Sequence, residues 1–349
     1  MTKKIRAGIL GATGTVGQRF IQLLEHHPQF TVTALAASDR SQGKHYADAC
    51  SWRLAGEMPT GIGSLVVQPP EPPLDCDFVF SSLPGDVARK AEGSFAAAGY
   101  PVISNSSAFR MDADVPLLIP EVNHEHLGLL ESQRRRFTSG GFIVTNPNCS
   151  TIMLALALAP LHTTFGLESV VATTMQALSG AGYPGVASLD ILDNVLPFIE
   201  SEEEKIEQET TKILGHVSAD KIEAAKFGVS AQCNRVNVSD GHMAAVRVKL
   251  SRRSTVAEVR EALSSFTALP QQLNLHSAPT RPIIMRDERD RPQPKLDREA
   301  GAGMSVTIGR LMADTVMDYR FVVLSHNTVR GAAGAAILNA ELLLQKGLF

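Results

Sequence analysis

Along the first 150 residues, short runs of apolar, β-branched and aromatic residues recur between polar or alanine-rich segments. Such continuous apolar runs, bounded by turn residues, read as strands buried on both faces, and the segments between them as covering helices. The pattern predicts strands over 7–10, 31–37, 78–80, 101–103, 117–119 and 142–144, and helices over 18–24 and 86–98. Strands alternating with helices imply a parallel α/β sheet. The Pro/Gly-rich stretch 41–75 shows no period and reads as loop and edge structure.

Beyond residue 148 the pattern changes. A long apolar helix covers 152–161, and a β-rich run over 167–175 ends at Gln176. The glycine-rich segment 179–185 reads as a flexible loop able to close on a ligand. Ser201 and Glu204 have capping-box spacing, opening a helix that ends near Gly215. Strands over 234–238 and 242–250 read as a hairpin joined by Ser239-Asp240-Gly241. A two-residue turn puts Arg235 and His242 on one face, whereas a three-residue loop improves the apolar match and separates them. A helix over 255–266, a polar loop over 293–303, strands over 304–312 and 318–324, and an alanine-rich helix over 332–345 complete the chain. That last helix is small-sided enough to pack back on the first half. The whole is α/β: an N-terminal Rossmann-type dinucleotide-binding domain (1–148 with 328–349) plus an α+β catalytic and dimerisation domain (149–327).

The first strand ends in Gly11-Ala12-Thr13-Gly14-Thr15-Val16-Gly17, a G-x-x-G-x-x-G loop that opens a helix. Gly11 allows the tight turn, Gly14 lets backbone approach a pyrophosphate, and Gly17 permits close helix–strand packing. Phosphates then sit on the helix N-terminus. At the end of the second strand, Ser38-Asp39-Arg40-Ser41 carries two signals. Arg40 between hydroxyls favours the 2′-phosphate of NADP, while Asp39 keeps NAD open. Ser81-Ser82 and Ser104-Asn105-Ser106-Ser107 follow strand C-terminal ends, where ligands of parallel sheets bind.

Cys149 lies in Thr145-Asn146-Pro147-Asn148-Cys149-Ser150, between a strand and the apolar helix. At a helix N-terminus, unpaired N–H groups and the macrodipole favour thiolate and an adjacent oxyanion, so Cys149 is the candidate nucleophile. His242 is the candidate general base and Arg235 a candidate clamp for carboxylate or phosphate. Glu202 and Lys205 share a helix face, the alternative being a surface ion pair.

Composition removes other classes. The chain of 349 residues carries a net charge of −3, which gives no footprint for nucleic acid, and Arg134-Arg135-Arg136 is too short to supply one. Its four cysteines lack CxxC or Cys/His spacing, arguing against structural metal and a disulfide framework. Met1 to Arg6 runs into a strand without a signal h-region, and no apolar run approaches the ~20 residues of a membrane span. A cytosolic enzyme acting on small molecules is expected.

Taken in order, the glycine loop, Asn146-Pro147-Asn148-Cys149-Ser150, Gln176, Ser179-Gly180-Ala181-Gly182, Glu202-Glu203-Glu204-Lys205, Arg235 with His242 seven later, and Asn327-Thr328-Val329-Arg330-Gly331 resemble aspartate-β-semialdehyde dehydrogenase, most closely its archaeal and fungal branch. The resemblance spans nearly the whole chain. It implies NADPH-dependent reductive dephosphorylation of L-4-aspartyl phosphate to L-aspartate 4-semialdehyde, a step toward lysine, methionine and threonine, in a homodimer or homotetramer. It implies that Cys149 forms a thioester, His242 moves protons and Gln176 orients the intermediate. Arg235 would hold the α-carboxylate and Glu202 the ammonium group, chosen from 202–204 by its distance to Lys205. Arg110, Asn148 and Lys205 would hold phosphate. On the cofactor side the resemblance adds Ser38, Arg40, Ser41, Ser82, Ser179, Gly180 and Asn327 to Thr13, Thr15, Val16 and the loop glycines. Malonyl-CoA reductase of the same build, which needs no ammonium site, and a catalytically silent dinucleotide sensor are the rival readings.

Overall fold

A computed structural model describes residues 3–349, so Met1 and Thr2 of the N-terminal run lie outside it. The first sheet contains β1 (Ile5–Leu10), β2 (Phe30–Ala36), β3 (Val67–Gln68), β4 (Phe78–Ser81), β5 (Pro101–Ser104) and β6 (Phe142–Thr145). Its order is β3-β2-β1-β4-β5-β6 and every pairing is parallel. Strands β4 and β6 are buried throughout, which is why they read as unbroken apolar runs. Helix α1 (Thr15–Leu24) follows the glycine loop, and α2 (Gly85–Ala97) follows β4.

Two glycines make the turn before α1 feasible. Gly11 has φ +82°, a left-handed conformation that side chains resist. At Gly17 a Cβ would lie 2.3 Å from the Gly11 carbonyl oxygen, so helix and loop can touch only without one.

Two expectations in this half are corrected. Residues 117–119 do not form a strand: Leu117 makes only an isolated bridge to Thr145. Pro116 and Pro120 bracket the run, supply no N–H to a ladder, and Pro120 opens a short helical turn instead. The 41–75 stretch is more ordered than its composition suggests, holding short turns at Tyr46–Ala49 and Ile62–Ser64 as well as β3.

The second sheet contains β7 (Leu167–Gln176), β8 (Gly228–Arg235), β9 (His242–Leu250), β10 (Ile283–Met285), β11 (Val306–Ala313) and β12 (Tyr319–Ser325). Its order is β8-β7-β9-β12-β11-β10. The expected β8–β9 hairpin is absent, and with it both turn registers. Strand β7 lies between the two, parallel to β8 and antiparallel to β9. Helix α3 (Cys149–Phe165) is apolar on all sides and packs into the core of this sheet. Helices α4 (Glu202–Ile213) and α5 (Val256–Ser264) pack on it through Ile206, Ile213, Val259 and Leu263.

The expected cap of α4 also fails. Ser201 has φ +56° and its hydroxyl caps nothing, because a capping side chain needs an extended backbone. Glu202, Glu203 and Glu204 in the first turn answer the helix dipole instead. The capping box forms at Thr255 and Glu258, where α5 begins. Segment 293–303, read as a loop, contains the turn Pro294–Asp297, whose buried Asp297 accepts from Arg286 and Arg291.

The final helix α6 (Gly334–Gln345) returns to the first sheet, placing Ala336, Ile337, Leu338 and Leu342 in one core with Ile9, Phe20 and Phe78. Just before it, Arg330 pairs with Glu121 through two bonds of 2.7 and 2.8 Å, both side chains fully buried. Among the described residues no helix is long and apolar enough to cross a membrane.

Candidate active site

Cys149 opens α3, and Asn148 is its N-cap. The Asn148 Oδ1 accepts from the Ser150 and Thr151 N–H groups at 2.9 and 3.1 Å. The helix end therefore spends two of its free donors on its own cap. This bears on the thiol, which is not poised as a thiolate in the ligand-free protein. Burial first and the nearby Glu202 carboxylate second push its pKa up to about 12, with Arg110, Arg235 and the Ser150 N–H only partly opposing them. The expected lowering is thus overturned: desolvation of the anion outweighs the helix terminus. Backbone of the C-terminal segment closes over the residue. A Cβ on Gly331 would sit 2.6 Å from the Cys149 Cβ.

Cys149 opens onto a cavity of about 600 Å³ whose walls include Arg110, Asn148, Gln176, Gly180, Glu202, Lys205 and Arg235. The sheet explains how residues so distant in sequence meet. Arg235 ends β8 directly opposite Gln176, which ends β7. Strand β9 runs the other way, so His242 at its start lies at that same edge. Ser106 and Ser107, beyond β5, complete the opposite wall.

His242 is fully buried beneath the 179–181 backbone, where a Cβ on Gly180 would lie 2.9 Å from its Nε2 and 2.8 Å from a terminal nitrogen of Arg235. Burial, then the charges of Arg235 and His326, push its pKa down to about 3, so the ring is neutral. Its Nδ1 accepts from the Ala177 N–H at 3.1 Å, which places the ring proton on Nε2, an atom with no partner. In this tautomer His242 presents a donor at Nε2 in the ligand-free protein. The 179–185 segment is not wholly irregular: Leu178–Ala181 forms one 3₁₀ turn, tied to Val238 and Ser239 by main-chain bonds.

Of the three glutamates opening α4, Glu202 is buried and faces the cavity, where its carboxylate accepts from Asn148 Nδ2 at 3.0 Å. Glu203 accepts from the Cys233 N–H, and Glu204 is exposed. Two further residues of α4 escaped the sequence reading. Glu209 bonds both Arg110 and the Asn148 N–H, while Lys212 donates to the carbonyls of Arg110, Asp112 and Val115. Their signal was present: 202, 205, 209 and 212 step by three and four along one helix face.

A second cleft of about 380 Å³ lies between the glycine loop and the 182–183 backbone, lined by Thr13, Gly14, Thr15, Val16 and Ser82. An adjoining cavity of about 500 Å³ carries it past Ser179. Residues Gly11 and Gly17 shape the loop rather than the wall. Ser51, Arg53 and Tyr183 also line the cleft, and sequence reasoning missed them because they fall in unpatterned segments. The Arg53 guanidinium stacks on the Tyr183 ring at 4.2 Å. The α1 first turn has no acidic residue, so nothing there opposes a phosphate. Ser38, Asp39 and Arg40 are exposed and Ser41 is buried, all outside these two walls. Asn327 donates to Ser179 Oγ at 2.8 Å and accepts from the Gly241 N–H at 2.9 Å, so it holds the loop.

A semialdehyde dehydrogenase NAD-binding domain model matches residues 6–130, and a semialdehyde dehydrogenase dimerisation domain model matches residues 158–330. An aspartate-semialdehyde dehydrogenase from Methanothermobacter thermautotrophicus is 54% identical, covering 97% of this chain and 99% of its own. The chain belongs to the aspartate-semialdehyde dehydrogenase family. The member from Candida albicans is 46% identical over 98% of this chain and 99% of its own length. A crystal structure of the Candida albicans aspartate semialdehyde dehydrogenase with NADP superposes at a TM-score of 0.92, with 44% identity, covering 99% of this chain and all of that one. A Vibrio cholerae aspartate semialdehyde dehydrogenase II is more distant, at 28% identity and a TM-score of 0.77 over 99% of both chains. Membership in this family fits the two-sheet architecture, an N-terminal dinucleotide-binding domain joined to an α+β domain.

Proposed function

We propose that this protein reduces L-4-aspartyl phosphate to L-aspartate 4-semialdehyde with NADPH, releasing phosphate, and that Cys149 carries the acyl group as a thioester. The observation supporting this most directly is the single cavity that presents Cys149, two arginines and Glu202 together. A substrate with a carboxylate, an ammonium group and a phosphorylated acyl group finds a partner for each. NADP fits the second cleft by its glycine loop and unopposed helix N-terminus, and NADP is the ligand of the Candida albicans structure.

Arg235, fixed through its bond to the Ala177 carbonyl at 2.8 Å, holds the substrate α-carboxylate. Glu202 receives the ammonium group. That pairing changes the nucleophile: burial is the main cause of the raised Cys149 pKa, the Glu202 charge adds to it, and a bound ammonium cancels that second contribution. Substrate arrival therefore favours the thiolate. The sulfur attacks the acyl carbon, the carbon–oxygen bond to phosphate breaks, and Arg110, Asn148 and Lys205 take the departing phosphate, which carries off the thiol proton.

Thr13 to Val16 and Ser82 would hold NADPH, which would supply the hydride that the thioester carbon accepts. His242 Nε2–H and Gln176 then stabilise the oxygen that gains charge. The carbon–sulfur bond breaks as the carbonyl re-forms, returning the thiolate. The cofactor part comprises 1–148 with 328–349, and the catalytic and dimerisation part 149–327. Leu189, Leu192, Val195 and Phe198 are exposed within one segment of the latter, which we assign to a subunit interface of a homodimer or dimer of dimers.

The test is the reverse reaction. Purified protein with aspartate semialdehyde, phosphate and NADP should form reduced nicotinamide, visible by absorbance, only when phosphate is present. Cys149→Ala should be silent. Turnover with malonyl-CoA and NADPH alone would transfer the reading to that reductase, and dinucleotide binding without turnover would favour a sensor.

A further inference from the structure

Helix α4 does more than present Glu202 and Lys205. One turn further along the same face lies Glu209, 2% exposed and outside the cavity wall. Its Oε1 accepts from an Arg110 terminal nitrogen at 2.9 Å, and its Oε2 accepts from the Asn148 N–H at 2.7 Å. The N–H it holds is that of the residue immediately before the nucleophile. The guanidinium it holds is the proposed phosphate clamp.

The rest of Arg110 is anchored too. Its other terminal nitrogen donates to the Asn105 carbonyl at 2.7 Å, and Lys212 Nζ donates to its main-chain carbonyl at 2.6 Å. Its Nε–H is buried without a partner. A buried donor left unpaired is costly, and an acceptor oxygen arriving there removes that cost. Both terminal nitrogens are bonded within the protein while the residue lines the cavity, so the guanidinium is fixed at the cavity wall.

We infer that Glu209 is the positioning residue that sets the phosphate clamp and the nucleophile at a fixed separation, one carboxylate oxygen serving each. It touches no reacting atom. Both partners need an acceptor, so only a carboxylate serves both at once: an amide would present N–H₂ to Arg110 or to Asn148. The pair with Arg110 is neutral, so clamping adds no net charge beside an anionic substrate. This assignment rests on the proposed reaction, because it takes Arg110 as a phosphate ligand.

The test compares wild type, Glu209→Gln and Glu209→Asp in the reverse assay and by alkylation of Cys149 with iodoacetamide. Phosphate-dependent turnover by wild type establishes the underlying reaction first; its absence would defeat that reading, while the alkylation arm still probes the hold on Asn148. In Glu209→Gln the expected result is a fall in kcat/KM of about 10–100-fold, with KM for phosphate rising more than KM for aspartate semialdehyde. The alkylation rate of Cys149 should change in the same variant. Dinucleotide affinity, read from the fluorescence of the single tryptophan, Trp52 beside Arg53 in sequence, should not move. In an Arg110→Gln background the effect of Glu209→Gln on phosphate KM should largely vanish. Glu209→Asp, which keeps two acceptors on a shorter stem, serves if the glutamine variant does not fold. Folded variants with unchanged phosphate KM and unchanged alkylation would overturn the inference, as would equal losses for phosphate, semialdehyde and dinucleotide.

Discussion

Gly180 lies against His242 with no room for a side chain: a Cβ there would sit 2.9 Å from Nε2 and 2.8 Å from Cε1. The crowding is steric, since Gly180 is not among the residues with positive φ. Gly180→Ala should therefore fold, because the added methyl can be accommodated by lifting the exposed 179–185 segment. It should lose about 10²-fold in kcat, since a displacement near 1 Å at a reacting group costs on that scale. Thermal melting alongside kcat checks this; a variant with wild-type kcat would show that the 179–181 backbone need not lie on His242.

The thiol makes a separate prediction. With a pKa near 12, alkylation of Cys149 in the ligand-free protein should rise about tenfold per pH unit through the neutral range, following the thiolate fraction. Glu202→Gln removes the charge that adds to this rise, so its alkylation at neutral pH should be faster than wild type. The same variant should bind aspartate semialdehyde more weakly. Rate against pH with iodoacetamide measures the first effect, and a slower thiol in Glu202→Gln would contradict the substrate-assisted activation proposed above.

Arg53 borders the cleft beside the glycine loop, and its main-chain N–H donates to Gln18 Oε1 at 2.7 Å. Gln18 in turn donates to the carbonyls of Thr13 and Ser51, so loop and arginine are braced together. Arg53→Ala should weaken NADPH binding about tenfold, the scale of one exposed charge-assisted contact to phosphate. Titration followed by Trp52 fluorescence checks it, and an unchanged affinity would leave Arg53 only its stacking on Tyr183.

Much of this was legible beforehand, and what was not has physical reasons. The glycine loop and the buried parallel strands announce themselves locally, through backbone demands and continuous apolar runs. The separation of β8 from β9 did not, because the strand between them, β7, comes from earlier in the chain. Alternation within two neighbouring strands says nothing about a third inserted between them. The cap at Ser201 was misread because spacing carries no information about backbone dihedrals. The Cys149 environment was misjudged for a related reason: a helix terminus is visible in sequence, but the desolvation that opposes it is a property of the assembled cavity.

The exposed apolar segment offers a fourth test. Leu189 is 88% exposed and Phe198 69% exposed, too much apolar surface for one segment left facing water. Leu189→Ser with Phe198→Ser should shift the protein toward monomer, read by light scattering across a dilution series. Because Leu196 exchanges main-chain bonds with Arg235 at 2.8 and 3.1 Å, monomer formation should also lower activity. Unaltered mass at every concentration would remove this segment from the interface.

The return of α6 to the first sheet has a consequence for how the molecule comes into being. Residues 5–145 emerge from the ribosome with all six strands of that sheet, yet Ile9, Phe20 and Phe78 lack the neighbours that Ala336, Ile337, Leu338 and Leu342 provide. The N-terminal layer thus waits, its apolar face open, while the entire second sheet is synthesised. A half-made molecule therefore lacks both that shared core and the Gly331 backbone that lies against the nucleophile.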